Sequence, residues 1–283
     1  MEQCTSCGKC IEVSPLLKFT HLEDIDPKNA IEIVLNYVKS GKHLPDASTK
    51  AYTCSSRGRC SMACERGLDP LLAFEAIKSK LAREGLAPQD LNQLNQSLRI
   101  WKILAALQAE FLKIRLTNNM TVSRTRRPHV LFLGFTLSAF LNIVDSMLDV
   151  LGNIKEEFVV LQGGNLCCGF PYGPACGLMD EVDTKARELI STIKSFNPEK
   201  VIFACAGCYR MFTEIYPKFL RIDFRVQHLS QFLLDRLGKV SSSKPSSIRI
   251  LFRESCMSRR TRVSEHDLRL PVALPGVEIV NIG

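Results

Sequence analysis

Ten of the twelve cysteines in this chain stand in four tight groups, and that spacing limits the possible folds more than any other feature. Cys4, Cys7 and Cys10 form the first group, and Cys54, Cys60 and Cys64 the second. Cys167 and Cys168 form the third, Cys205 and Cys208 the fourth; Cys176 and Cys256 stand apart. Thiols repeated at gaps of two and three residues are the pattern of a chain wrapping a metal centre. Disulfides explain it poorly, because 283 residues, 46% of them apolar, build one large or two ordinary cores without covalent staples. No run of 18 apolar residues occurs, and Met1 to Cys10 lacks a basic and then apolar leader. The expectation is therefore no membrane span, no signal peptide and a cytosolic location.

The first group reads Cys4-x2-Cys7-x2-Cys10-x3-Ser14-Pro15, the bacterial ferredoxin run with serine at the fourth cysteine. In the same frame the second loop is Cys54-x2-Arg57-x2-Cys60-x3-Cys64-Glu65. In two-cluster ferredoxins the fourth cysteine of each run ligates the other cluster. One site then keeps Cys4, Cys7, Cys10 and Cys64, a full set of thiolates for a 4Fe-4S cluster. The other would need Cys54, Arg57, Cys60 and Ser14, and both substitutions fall on it. The expectation is one cubane here and not two, with Arg57 filling the vacated space and facing the remaining cluster's charge. Cys54 and Cys60 then pack as small apolar relics, or ligate only with an outside donor. The competing readings are a structural zinc site, whose paired spacing differs, and cysteines that hold no metal.

The formal charge of +8 raises the question of nucleic acid, but the basic residues are scattered. Their densest groups are Arg124, Arg126 and Arg127, and Arg253, Arg259, Arg260 and Arg262. Each thiolate-ligated cubane would contribute a charge of about −2. A solvated surface or an acidic protein partner is favoured over nucleic acid. Neither GxGxxG nor GxxxxGK[ST] occurs, so no nucleotide site is expected.

Residues 1–85 read as short helices framing the two cysteine loops. Asp26-Pro27 opens a helix with Ile31, Val34 and Val38 on one face and Gly41 beyond it; Asp69-Pro70 repeats the device with Leu72, Ala76 and Leu81 running to Gly85. Asp90 to Leu116 reads as a connecting helix. From Pro128 apolar runs at Val130–Leu133, Phe158–Leu161 and Val201–Ala204 alternate with helical segments, one reaching Leu151 and others at Val182–Phe196 and Arg210–Tyr216. That alternation predicts a mostly parallel α/β sheet. Lys239 to Ser247 reads as a linker. The segment Ile248–Phe252 then resembles Val130–Phe135, an internal repeat that aligns Phe135 with Cys256 at an offset of 121 residues. On that alignment the second unit is truncated.

Cys167-Cys168-Gly169 sits in a glycine-rich loop, where adjacent cysteines can both turn toward one centre. Cys205-x2-Cys208 follows a predicted strand's carboxyl end, where open α/β sheets build their sites. Here the sequence resembles the cysteine-rich CCG-domain proteins. These include the catalytic subunits of heterodisulfide reductase and the iron–sulfur subunits of glycolate oxidase and anaerobic glycerol-3-phosphate dehydrogenase. Val226–Leu229 before Phe232-Leu233, and Leu274–Glu278, match further stretches of the pattern. The family's leading cysteine is Phe135 in this chain. The resemblance implies an α/β architecture: a helical ferredoxin-like cluster domain (1–85), a helical connector (86–127), a CCG domain (128–238) and a partial second CCG unit (248–283). It also implies a second cluster, cubane or modified, on Cys167, Cys168, Cys205 and Cys208. The implied function is electron relay, in a subunit that works with a flavoprotein or a heterodisulfide reductase-like partner. Direct reduction of a disulfide is the alternative. Cys176 is read as a buried thiol before a fifth ligand, and His228 as a structural histidine before a site residue.

Overall fold

The computed structural model describes residues 3–56, 58–87, 96, 98–100, 103–104, 107, 129–137, 140–154, 156, 158–161, 166–237 and 247–280. The expected connecting helix from Asp90 to Leu116 and the linker ahead of Ser247 lie largely or wholly outside the described residues. The chain divides into two compact units, Met1–Leu91 with Gly169–Asp183, and Asn92–Cys168 with Thr184–Gly283. The segment after the Cys-Cys pair is thus compact with the amino-terminal residues, a division that no contiguous reading of the sequence contains.

The described part of the first unit is helical: α1 (Lys9–Glu12), α2 (Pro27–Ser40), α3 (Pro45–Tyr52), α4 (Arg59–Met62) and α5 (Pro70–Arg83), with short 3-10 turns before α2. Asp26 caps α2 as its sequence predicts, accepting from Lys28 N and Asn29 N, with Pro27 at the first position and Gly41 left-handed at the end. Its buried face is Ala30, Ile31, Val34, Leu35 and Tyr37, whereas Val38 is exposed. On α5 the expected face is rotated further: Leu72 and Ala76 are exposed, while Leu71, Phe74, Ile77 and Leu81 are buried. Neighbours on two sides of α5 decide this, since three apolar residues at helical spacing fit two overlapping stripes. Asp69 makes no cap hydrogen bond to α5; its carboxylate accepts from the Ser61 hydroxyl instead. The core of this unit gathers Ile11, Leu22, Ile31, Val34, Leu71, Phe74 and Leu81, each contributing roughly 1.5–3 kcal/mol by burial.

The second unit contains a four-stranded sheet in the order β2-β1-β3-β4, all parallel. Its strands are β1 (His129–Phe132), β2 (Phe158–Leu161), β3 (Lys200–Phe203) and β4 (Arg225–His228). β1 is buried along its whole length, the burial of a strand covered on both faces, which is why its sequence shows no polar alternation. The strands stay in register at their carboxyl ends, where Phe132 pairs with both Leu161 and Phe203, and Phe203 with His228. Helices at Leu141–Gly152 and Met179–Ser195 match the expected segments within a few residues. The helix predicted at Arg210–Tyr216 is longer. It begins at Ala206, passes through a π turn at Met211–Ile215, and takes Pro217 into a closing 3-10 turn.

A second parallel pair, β5 (Ile248–Leu251) with β6 (Val277–Val280), brackets helices at Cys256–Arg260 and Ser264–Val272. β1 and β5 begin 119 residues apart, and so do β2 and β6. The repeat therefore exists, and the strands set its offset at 119 and not at the 121 that matching Phe135 to Cys256 suggests. Among the described residues no helix is long and apolar enough to cross a membrane.

Candidate metal centres

The two amino-terminal loops are copies of one backbone. Ser6 and Ser56 both take left-handed conformations (φ 53° and 55°), and Gly8 and Gly58 follow at φ 81° and 71°, capping α1 and α4. Each pair is separated by fifty positions, the separation of Cys4 from Cys54 and of Cys10 from Cys60. Non-glycine residues at positive φ are uncommon, so their recurrence marks a loop shape kept for a purpose.

The first site is a cavity lined by Cys4, Cys7, Cys10 and Cys64, three thiols from one loop and one from the other. It encloses about 540 Å³ of space free of atoms, open solvent at its mouth included. Cys10 is buried and Cys7 is exposed, so one side of the cavity faces the core and the other faces water. Burial first, then the neighbouring Cys60, pushes the Cys10 thiol up to about 12. A metal centre binding there must displace that proton. Lys9 and Glu65, one from each loop, form an ion pair at the rim.

The second loop forms its own, smaller cavity of about 330 Å³, lined by Cys54, Cys60, Ser14 and Cys10 among others. These are the positions that the crossover pattern assigns to a lost cluster. Arg57 lies outside the described residues. The residue found at this site is one that the sequence did not single out: Lys50, on α3, is 2% exposed and donates from Nζ to Ser14 Oγ at 2.8 Å. Lys78, 1% exposed, donates to the carbonyl of Cys54 at 2.8 Å and to that of Pro174 at 3.2 Å. Nothing in their spacing separates these lysines from surface lysines, because only the packing of α3 and α5 turns them inward. Cys176 is a buried thiol of this same unit, as expected of it, pushed up by burial with Lys78 nearby.

The third and fourth cysteine groups meet at the carboxyl edge of the four-stranded sheet. Strand order reverses between β1 and β3, the crevice where open parallel sheets bind their ligands. Cys205 directly precedes the helix that starts at Ala206, and Cys208 lies on its first turn. The Cys208 thiol is in hydrogen-bond contact with both Cys168 and Cys205, and these contacts together with burial push it well above the ordinary thiol value. The same contact with Cys208 holds the Cys205 thiol below it. Cys167, Cys168 and Cys208 all lie beside the phenol of Tyr216. That phenol donates to the Cys168 carbonyl at 2.7 Å and anchors the loop. Gly169, at φ 74°, turns the chain immediately after Cys168. From β1's end, Gly134 approaches so closely that an added β-carbon would lie 3.1 Å from Cys208 Sγ. The Phe135 side chain, expected in the place of a lost ligand, lies outside the described residues.

Arg210, two residues past Cys208, is fully buried and pairs with Glu214 at 3.1 Å, which also pairs with Arg260 at 3.1 Å. Glu214 thus joins two guanidiniums, and the fully buried one, Arg210, follows Cys208 by two positions. His228 has the structural role expected of it. Its Nδ1 lies 2.9 Å from Ser230 Oγ, and its ring meets Tyr209 edge-on at 5.8 Å. Cys256 is half-buried at the start of a helix. Among the described residues no group of three or more His, Cys, Asp or Glu side chains is arranged to hold a single metal ion. Four thiols from two loops around one cavity, and thiols in mutual contact at a sheet's switch point, suit the larger body of a cluster.

These two thiol constellations, on a helical two-loop unit and on a parallel α/β sheet, define an iron–sulfur protein. The 4Fe-4S dicluster domain family matches residues 3–69, and the family described as Cysteine-rich domain, CCG, matches residues 139–213. One subunit of the dihydromethanophenazine:CoB–CoM heterodisulfide reductase of Methanosarcina barkeri is 23% identical over the whole of this chain and 75% of its own length. Its counterpart in Methanosarcina acetivorans is 22% identical over equal shares. One subunit of the fumarate reductase (CoM/CoB) of Methanothermobacter marburgensis is 22% identical, over 99% of this chain and 56% of its own. No solved structure matches. The chain is a cysteine-rich CCG iron–sulfur protein, and its cofactors are 4Fe-4S clusters.

Proposed function

We propose that this chain is the electron-transfer subunit of a cytoplasmic oxidoreductase complex. In this reading Cys4, Cys7, Cys10 and Cys64 hold one 4Fe-4S cluster, and Cys167, Cys168, Cys205 and Cys208 hold a second, cubane or modified. When bound, such clusters take up and release single electrons at little structural cost. The observation that carries the reading is the four-cysteine cavity built across two loops, beside a copy of itself that has lost that set. The exposed Cys7 edge suits exchange with a partner. The working parts are a cluster domain at 1–85, a connector at 86–127, a CCG domain at 128–238 and a second CCG-like unit from 248. The partners are further members of a redox complex, a flavoprotein or a heterodisulfide reductase-like protein, in keeping with the complexes named for the relatives.

The test is iron and sulfide content with electron spin resonance of the anaerobically purified chain. Cys64→Ala removes the amino-terminal signal, whereas Cys54→Ala and Cys60→Ala leave it intact. A signal that survives without Cys64 would falsify the ligand assignment. Steady disulfide-reducing turnover by the isolated chain would replace the relay with a catalytic role.

A further inference from the structure

We propose that Lys50 sets the reduction potential of the amino-terminal cluster, its ammonium standing in the copied loop where a second cluster's thiolates would converge. The inference rests on the reading that Cys4, Cys7, Cys10 and Cys64 hold that cluster. The copied loop keeps the left-handed Ser56 and Gly58 of a cluster loop, so its backbone has not collapsed. The position of its missing fourth thiolate is Ser14, and Ser14 accepts the Lys50 hydrogen bond at 2.8 Å. The ammonium lies 4.9 Å from the centre of the Phe74 ring, in a cavity walled by Cys10, Cys54 and Cys60. The ionisable groups that act on it are the thiols of Cys54, Cys60 and Cys10 and the ammonium of Lys78.

The ammonium's contacts are the Ser14 hydroxyl and the Phe74 ring, its burial disfavours the charged form, and such a charge is costly to keep. An anionic cluster close by offsets that cost, and Cys10 supplies the proximity, because it lines both cavities. In a two-cluster protein the neighbour of such a cluster carries a charge of about −2, which opposes adding an electron. In this chain the neighbour is a cation, with the buried Lys78 as a second one behind it. Low dielectric and restricted screening make such a charge effective over a longer range than it would have in water. The loss of two ligands and the gain of buried lysines together turn an electron-storing pair into one cluster that is easier to reduce.

The experiment is a spin-resonance-monitored redox titration of the anaerobically reconstituted full chain, with the amino-terminal signal identified as the one absent from Cys64→Ala. Lys50→Met should lower the reduced-to-oxidised ratio at fixed ambient potential on the order of tenfold, about 59 mV for one electron, at full iron content. Lys50→Arg should stay near the wild type. Ser14→Asp, which keeps Lys50 but neutralises it, should shift the potential in the same direction as Lys50→Met. A fully loaded Lys50→Met that titrates with the wild type overturns the proposal. Should Lys50→Met fail to fold or load, a Ser14→Asp protein at the wild-type potential overturns it equally. A signal that persists in Cys64→Ala instead faults the ligand reading and leaves the two failures distinct.

Discussion

Gly8 lies between Cys7 and Cys10 at φ 81°, and a β-carbon there would lie 2.8 Å from Pro27 C and Cβ and 2.9 Å from Lys28 N. Gly67 lies in the opposing loop, just past Cys64, at φ 65°, and a β-carbon there would meet nothing within 4 Å. Alanine at either position pays for the left-handed backbone, about 1–2 kcal/mol. At Gly8 it must also push α2's first turn aside, and overpacking against backbone adds about 1–3 kcal/mol. Gly8→Ala should therefore cost about 3 kcal/mol and Gly67→Ala about 1 kcal/mol, a gap of about 2 kcal/mol that isolates the contact from the strain. With a urea slope of about 1–3 kcal/mol per molar, the midpoints should differ by roughly 1 M. Anaerobic urea titration followed by far-ultraviolet circular dichroism reads this directly. The displaced loop carries Cys7 and Cys10 on either side of Gly8, so iron retention should fall in Gly8→Ala and not in Gly67→Ala. Equal midpoints for the two variants would show that the loop does not rest on α2 as described.

Tyr216→Phe removes the phenol's hydrogen bond to the Cys168 carbonyl; it should destabilise the second unit by about 1 kcal/mol or more and alter the spectrum of its cluster. A variant within about 0.5 kcal/mol of the wild type, well below that cost, would refute the anchoring role. Burial lowers His228 to about 4, partly offset by Asp267, with His266 adding to the depression. Between about pH 6.5 and 4 the unfolded chain binds a proton that the folded chain refuses, so stability falls as the pH falls through that window. The full loss is about 3 kcal/mol, and His228→Asn, which keeps a side-chain cap without titrating, should flatten it. Urea midpoints at pH 7.5 and pH 5 compare the two slopes, and identical slopes refute the assignment.

The cysteine spacing by itself determined the chemistry and most of the site partition. Runs of x2 and x3 gaps encode a cluster loop whatever surrounds them, since ligand geometry is local to the loop. The frame shared by the two loops likewise underlies the proposal that one copy lost its ligands, and the apolar runs told that the second unit contains a parallel sheet, because strands buried on both faces have a signature of their own. The α2 cap was legible for the same reason: Asp26, Pro27 and Gly41 act within one turn of where they stand. The buried face of α2 was legible at Ile31 and Val34 and missed only at Val38; that of α5 was missed at Leu72 and Ala76, because helical periodicity leaves the phase of a stripe open until neighbours choose it. Lys50 and Lys78 carry no mark in the sequence; α3 and α5 bring them into the copied loop only when packed. The compactness of Gly169–Asp183 with the first unit, the Tyr216 anchor and the Arg210–Glu214–Arg260 group all join residues far apart in the chain. The proposed ligand sets thus rest on local spacing, whereas the buried lysines and hydrogen bonds around them come from long-range packing, which no local pattern encodes.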